Sequence, residues 1–249
     1  VLGFIVIVVL TCMDTSVPTT VIDSFHTASE SASEYSASSY DCGLREGDKI
    51  IEIDGMDIMT VKDLQYALIS SENDSYDLVV KRNGERTELN DVVFKDKSTG
   101  SLVDFYIKAH KKTPLNVLSY SAKDTVSTAK LVWLSLKDLV TGKYGFKDLS
   151  GPVGLVDAIG DAADSGINIK ESVMSLFSLT SLITINLGIF NLLPIPGLDG
   201  GRFIFLVVEA IRRKPVKPEH EGAVHLIGMA LLMLLIIAVT FSDIKKLFG

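Results

Sequence analysis

Two long runs without charge constrain this chain more than any other feature. Ser172 to Leu198 passes 27 positions with no Asp, Glu, Lys or Arg, and Gly222 to Ser242 passes 21. About 20 apolar helical residues cross the hydrocarbon core of a bilayer, so each run is long enough to span it. A soluble protein rarely has two such runs separated by a short basic loop. The mean hydropathy is positive, +0.33, although the middle of the chain is polar and acidic. The chain therefore reads as membrane spans joined to a soluble part.

The opening segment, VLGFIVIVVLTCM (1–13), is also uncharged but too short to span. It lacks an initiator Met, a basic leading region and a small-residue cleavage site, so it does not fit a signal peptide. It reads as the second half of a transmembrane helix, and the sequence is expected to begin partway through a larger protein. Arg202, Arg212, Arg213, Lys214 and Lys217 fall between the two long runs. The positive-inside rule makes 199–221 a cytoplasmic loop and helix, against the lesser pull of Lys245 and Lys246 in the 243–249 tail. The polar middle is then extracytoplasmic. A net charge of -7 with no basic cluster argues against a nucleic-acid partner. Cys12 and Cys42 cannot make a disulfide framework.

Within 14–95, the Ser/Thr/Ala/Glu composition from Asp14 to about Tyr40 cannot bury a core and reads as a linker. A small α+β module follows. KIIEIDG alternates as a strand ending at Gly55, TVKDLQYALIS has helical spacing with Thr60 placed to cap, and Asn83-Gly84 is a hairpin signal inside YDLVVKRNGERTEL. In 96–171, SLVDFYIKAH predicts a strand. A helix over Ser121 to Thr141 is predicted next, with Ser121 and Asp124 as a capping box and Gly142 as its stop. Its apolar residues, among them Val126, Val132 and Trp133, share a face that suits a membrane surface or the soluble module, the former favoured.

The first long run, 172–198, ends in NLLPIPGLDGG. Two prolines break a helix and free backbone groups, which membrane depth tolerates only where protein or a wet cavity satisfies them. Asp199 follows. It could cap the helix DGGRFIFLVVEAIRR, since Asp is a preferred N-cap residue. An ionisable residue beside a span is also a functional candidate, and a broken helix, a glycine pair and a carboxylate suit a cation ligand.

The segments GLREGDKIIEIDG, SGPVGLVDAIG, TINLGIFNLLPIPGLDGGRFIF and AVTFSDIKKLF together resemble the second part of a bacterial site-2 protease. The resemblance runs through nearly the whole chain, and its Asn-x-x-Pro and Leu-Asp-Gly element is highly specific. It implies a multi-pass α-helical membrane protein of the bacterial inner membrane with an inserted α+β PDZ-like domain outside the cytoplasm. It further implies an intramembrane zinc metalloprotease, with Asp199 as a zinc ligand and Asn191 positioning the substrate backbone. Pro194 and Pro196 would shape the unwound segment that meets substrate, and Gly43 and Leu44 are the peptide-binding candidates of the PDZ-like module. Expected partners are membrane lipid and transmembrane substrates such as anti-sigma factors or signal-peptide remnants.

The family's other two zinc ligands are the histidines of a His-Glu-x-x-His motif, whose glutamate is the general base. No such motif occurs in this sequence. The nearest match, HEGAVH, spaces His220 and His225 by five. At about 100° per residue that sets them about 140° apart on a helix, where a spacing of four sets them about 40° apart. His26 and His110 lie in polar surroundings and are no better placed. The two missing ligands are therefore expected upstream of Val1. A rival reading is a noncatalytic membrane-anchored adaptor that binds peptides through its PDZ-like module, which would need neither Asp199 nor metal.

Overall fold

The computed structural model describes residues 1–26, 37–71, 73–94, 102–143, 152–164, 169–214, 216 and 218–248. The serine-rich expectation over 27–36 lies outside them. The chain divides into two compact units, Thr11–Leu131 and Val1–Leu10 with Val132–Gly249.

The first unit is an antiparallel sheet with helices packed against it. Its strands are β1 (Val17–Phe25), β2 (Lys49–Ile53), β3 (Met56–Asp57), β4 (Tyr76–Arg82), β5 (Glu85–Val92) and β6 (Phe105–His110). They run antiparallel in the order β5-β4-β2-β1-β6, with β3 on β2. Asn83 and Gly84 both hold positive φ, 51° and 97°, in the two-residue turn predicted between β4 and β5. That turn geometry matches the natural twist of a hairpin.

Two expectations change here. Val17–Phe25, assigned to a linker, is a central strand: Val17, Thr20, Ile22 and Phe25 are buried. Its β-branched residues fit a pleated, half-buried surface, a signal diluted by the serine-rich residues after it. The sheet also runs past residue 95, because β6 pairs with β1 from Val17↔His110 to Phe25↔Phe105.

One apolar cluster holds the unit together, including Ile22, Phe25, Leu44, Ile50, Ile53 and Leu78, all between 0 and 3% exposed. The four-residue α2 (Ser38–Asp41) is tied to the β6 edge by Asp104, which accepts hydrogen bonds from Ser39 N–H at 2.9 Å and Ser39 Oγ at 2.6 Å. Helix α3 (Val61–Ser70) starts as predicted at Thr60, whose N–H donates to Asp63 Oδ2 at 2.9 Å.

Helix α4 (Pro114–Val140) begins seven residues before the predicted start. Ser121 and Asp124 are therefore interior, and they are buried. They belong to a polar stripe that seats the helix on its own unit. Asp124 pairs with Lys62 at 2.7 Å, Ser127 Oγ lies 2.9 Å from Thr60 Oγ1, and Lys130 pairs with Asp63 at 2.7 Å. Of the apolar face drawn from the sequence, Val132 is buried, while Val126 and Trp133 are 56% and 59% exposed. Gly142 follows the last turn with φ 79°, and Lys143 N–H donates to Asp138 O at 3.0 Å, as a glycine-terminated helix requires.

The second unit is helical: α1 (Leu2–Met13, of which residues 2–10 belong here), α5 (Pro152–Asp164), α6 (Ile169–Leu192), α7 (Asp199–Arg212) and α8 (Pro218–Phe248). Helix α5 has no counterpart in the predicted elements. Its first turn is capped from α8, where the buried Asp243 Oδ2 accepts the Gly154 N–H at 3.0 Å. In α6 and α8, windows over Ile169–Leu192 and Glu221–Lys246 are apolar and long enough to cross a membrane, and only 11% of each is buried. A core helix of a soluble protein would be mostly covered. These helices instead present side chains such as Leu187, Leu226 and Leu234 at 60 to 66% exposure.

Candidate active site

The site is built where α6 ends. An α-helix continues only while each N–H reaches the carbonyl four residues back, and Pro194 has no N–H to offer Phe190. The Phe190 carbonyl instead accepts from Leu193 N–H at 3.1 Å, a tighter turn that closes the helix at Leu192. Pro196 repeats the interruption. Between the two, Ile195 N–H donates to Leu193 O at 2.7 Å and Leu198 N–H to Ile195 O at 3.1 Å. The Phe190, Leu193 and Ile195 carbonyls are thus bonded by N–H groups of the segment itself.

The glycines let this segment fold back on the next helix. A Cβ at Gly200 would run into the Leu193 carbonyl oxygen, and one at Gly201 would sit 2.6 Å from the Ile195 oxygen. Gly197 adopts φ 98°, open to glycine at little cost. Its Cβ would also meet the Met229 backbone nitrogen of α8 at 2.9 Å. A Cβ at Gly228 would overlap the Pro196 carbonyl. The segment between α6 and α7 is therefore clamped, backbone to backbone, by the first turn of α7 on one side and by α8 on the other.

Asp199 heads α7. The N-cap position belongs to Leu198, with φ -108° and ψ 166°, and makes no side-chain capping bond. Among the described residues the Asp199 carboxylate has no hydrogen-bond or ion-pair partner, so the capping role does not account for it. It is exposed, and it lines an open cavity of about 500 Å³ with Arg202, Phe205, Glu209 and Glu221. Arg202 faces Glu221 at 3.7 Å, and Glu209 accepts the Val216 N–H at 2.7 Å. Both acids have partners; among the described residues Asp199 has none.

Asn191 lies on the last turn of α6, with Pro194 and Pro196 in the segment beyond it. The fold thus brings Asn191, Pro194, Pro196 and Asp199 into one short stretch of a single unit. His225, set aside in the sequence because of its spacing from His220, is the residue missed there. Its Nδ1 accepts the Gly197 N–H at 3.1 Å. The signal available in the sequence was a lone histidine within an otherwise apolar span.

A free carboxylate is a suitable oxygen ligand for zinc, and Asp199 supplies one. Catalytic zinc sites take about three protein ligands, and no group of three His, Cys, Asp or Glu side chains converges among the described residues. His225 already uses Nδ1 on Gly197. The residues present fit one corner of a metal site.

Gly43 and Leu44 lie in the other unit, and their backbone is already in use. Gly43 N–H donates to Tyr40 O and Leu44 N–H to Ser39 O, each at 3.1 Å, and the Leu44 side chain is fully buried. Gly43 O accepts from Arg82 Nη2 at 2.8 Å. Arg82 also binds the buried Asp48 through Nε and Nη2 at 2.8 and 2.7 Å, a bond that raises its pKa above the ordinary value. Neither N–H is free to take a peptide carboxylate. These residues build the turn.

The model of Peptidase family M50 matches residues 1–235. The chain is 39% identical over 211 residues to the regulator of sigma-W protease RasP of Bacillus subtilis strain 168, a match covering 84% of this chain and 49% of that protein. It is 34% identical over 213 residues to the zinc metalloprotease RasP of Oceanobacillus iheyensis, covering 83% and 49%. It is 35% identical over 209 residues to the zinc metalloprotease RasP of Geobacillus kaustophilus, covering 83% and 48%. The chain spans about half the length of these relatives.

Proposed function

Because this chain belongs to Peptidase family M50, we propose that it is part of an intramembrane zinc metalloprotease in which Asp199 is a metal ligand. The observation that carries the reading is the Asp199 carboxylate, without a partner among the described residues and held at the head of α7 by a broken helix packed against Gly200 and Gly201. The other two ligands are histidines supplied from residues preceding Val1. Bound zinc would polarise the scissile carbonyl and make its water acidic enough to attack an amide near neutral pH.

The chain's own residues do the rest. Asp199 contributes one anionic oxygen on a short, rigid tether. The Asn191 carboxamide offers both a donor and an acceptor, and holds the backbone of a substrate helix that has unwound beside α6. Pro194 and Pro196 keep the facing segment out of the helix. With its internal hydrogen bonds made, that segment can line a polar pocket at membrane depth.

The exposed apolar faces of α6 and α8 are covered by lipid, as part of a multi-pass protein of the bacterial inner membrane. The sheet unit is the PDZ-like domain and lies outside the cytoplasm, a reading supported by the five basic residues from Arg202 to Lys217 between the two long apolar runs. Substrates are transmembrane proteins; the name of the B. subtilis relative points to regulatory targets such as anti-sigma factors, and signal-peptide remnants are a second class.

The test is cleavage of a transmembrane reporter by the full-length protein in membranes. Asp199→Ala abolishes cleavage while the protein stays inserted, and Asn191→Ala lowers cleavage with metal retained. Undiminished cleavage by Asp199→Ala would sink the assignment.

A further inference from the structure

Resting on that assignment of Asp199, we infer that His225 is a positioning residue: its Nδ1 anchors the Gly197 amide and thereby fixes where the carboxylate two residues on can meet the metal.

Three observations converge on this contact. The Gly197 N–H donates to His225 Nδ1 at 3.1 Å, across 28 residues of sequence. Gly228, one turn along α8, lies against the Pro196 carbonyl so closely that a Cβ would overlap it. Gly197 holds φ 98° in the segment between α6 and α7, outside the hydrogen-bond ladder of either helix. The contact is half-buried, and a backbone donor left unpaired there is unfavourable. His225 satisfies it.

The contact also fixes the chemistry of the ring. A nitrogen that accepts a hydrogen bond carries no proton, so the neutral imidazole holds its proton on Nε2. Nε2 is buried and has no hydrogen-bond partner among the described residues. The lone pair that a metal would need is on Nδ1, and Gly197 occupies it. His225 thus supports the ligand-bearing segment and is not itself a ligand. Partners of this kind commonly matter to metal affinity or activity by about 10- to 100-fold.

Two substitutions separate the nitrogens. Asn places its Oδ1 where His places Nδ1, so His225→Asn keeps the acceptor for Gly197 and removes the Nε2 donor. Gln sets its amide one bond further out, so His225→Gln keeps a polar group near Nε2 and removes the acceptor; it is also the variant better tolerated if His225→Phe does not accumulate. In the full-length protein, zinc affinity is measured by competition with a chelator, and Gly197 amide exchange by fragmentation mass spectrometry. We expect His225→Phe and His225→Gln to speed Gly197 exchange and weaken zinc by about tenfold or more, with His225→Asn near wild type in both.

Wild-type zinc affinity in His225→Gln, or an equal loss in His225→Asn and His225→Gln, overturns the positioning role. Asp199→Ala is run alongside. If it loses zinc while His225→Phe and His225→Gln keep it, only this inference falls. If Asp199→Ala itself keeps zinc, the ligand assignment falls and His225 has nothing to position.

Discussion

Gly200 has no room for a side chain: a Cβ there would overlap the carbonyl oxygen of Leu193, so the first turn of α7 is pressed onto the chain that has just left α6. Gly200→Ala must push the two apart or strain the turn, at a cost on the order of 1–3 kcal/mol. Gly188 in α6 meets nothing within 4 Å, and Gly188→Ala gains helix propensity. Thermal unfolding in detergent should fall for the first variant and hold or rise for the second, and reporter cleavage should follow the same split.

The seam under α4 gives a second prediction. Lys130 pairs with Asp63, which is 0% exposed on its side chain and whose other oxygen serves Met59 and Thr60 N–H. Lys130→Ala leaves that carboxylate with the donors on its other oxygen, the Met59 and Thr60 N–H and the Thr60 hydroxyl, and should cost about 2 kcal/mol. Lys130→Ala with Asp63→Asn should recover part of it, read as limited proteolysis at the α3–α4 contact. Equal protection of wild type and Lys130→Ala would mean that the polar stripe does not hold the helix.

Asp48 is 0% exposed and accepts from Arg82 twice and from Arg45 N–H at 2.9 Å. Asp48→Ala strips three donors at once. Arg82 is 33% exposed and is partly resolvated, so the loss is set at about 3 kcal/mol, the low end for breaking a buried pair. Arg82→Lys keeps the charge but not the two-pronged geometry and should cost less, about 1 kcal/mol. Urea denaturation of the detergent-solubilised chain, followed by circular dichroism of the sheet, gives both values.

Much of this was legible in the sequence because single features dominate locally. Absence of charge marked α6 and α8, Asn83-Gly84 marked the hairpin, and Thr60 marked the start of α3. Pro194 and Pro196 marked the break. Val17–Phe25 was hidden by the serine-rich residues after it, and α4 was started late because Ser121 and Asp124 imitate a capping box while serving a buried seam. Asp199 was visible as a carboxylate out of place. What holds it was not, since Gly200 against Leu193 and His225 against Gly197 exist only once the chain has folded back. The turn that Gly43 and Leu44 form, which bonds their N–H groups to Tyr40 and Ser39, is likewise set only once the chain has folded.

The measurement that bears most directly on Asp199 is the zinc content of the purified full-length protein and of its Asp199→Ala variant, by elemental analysis after removal of loosely bound metal. Wild type should hold about one zinc per chain, and the variant, left with two of about three protein ligands, should lose most of it. Full retention of zinc by Asp199→Ala would contradict the account and return the carboxylate to the surface of α7 without a role in the metal site.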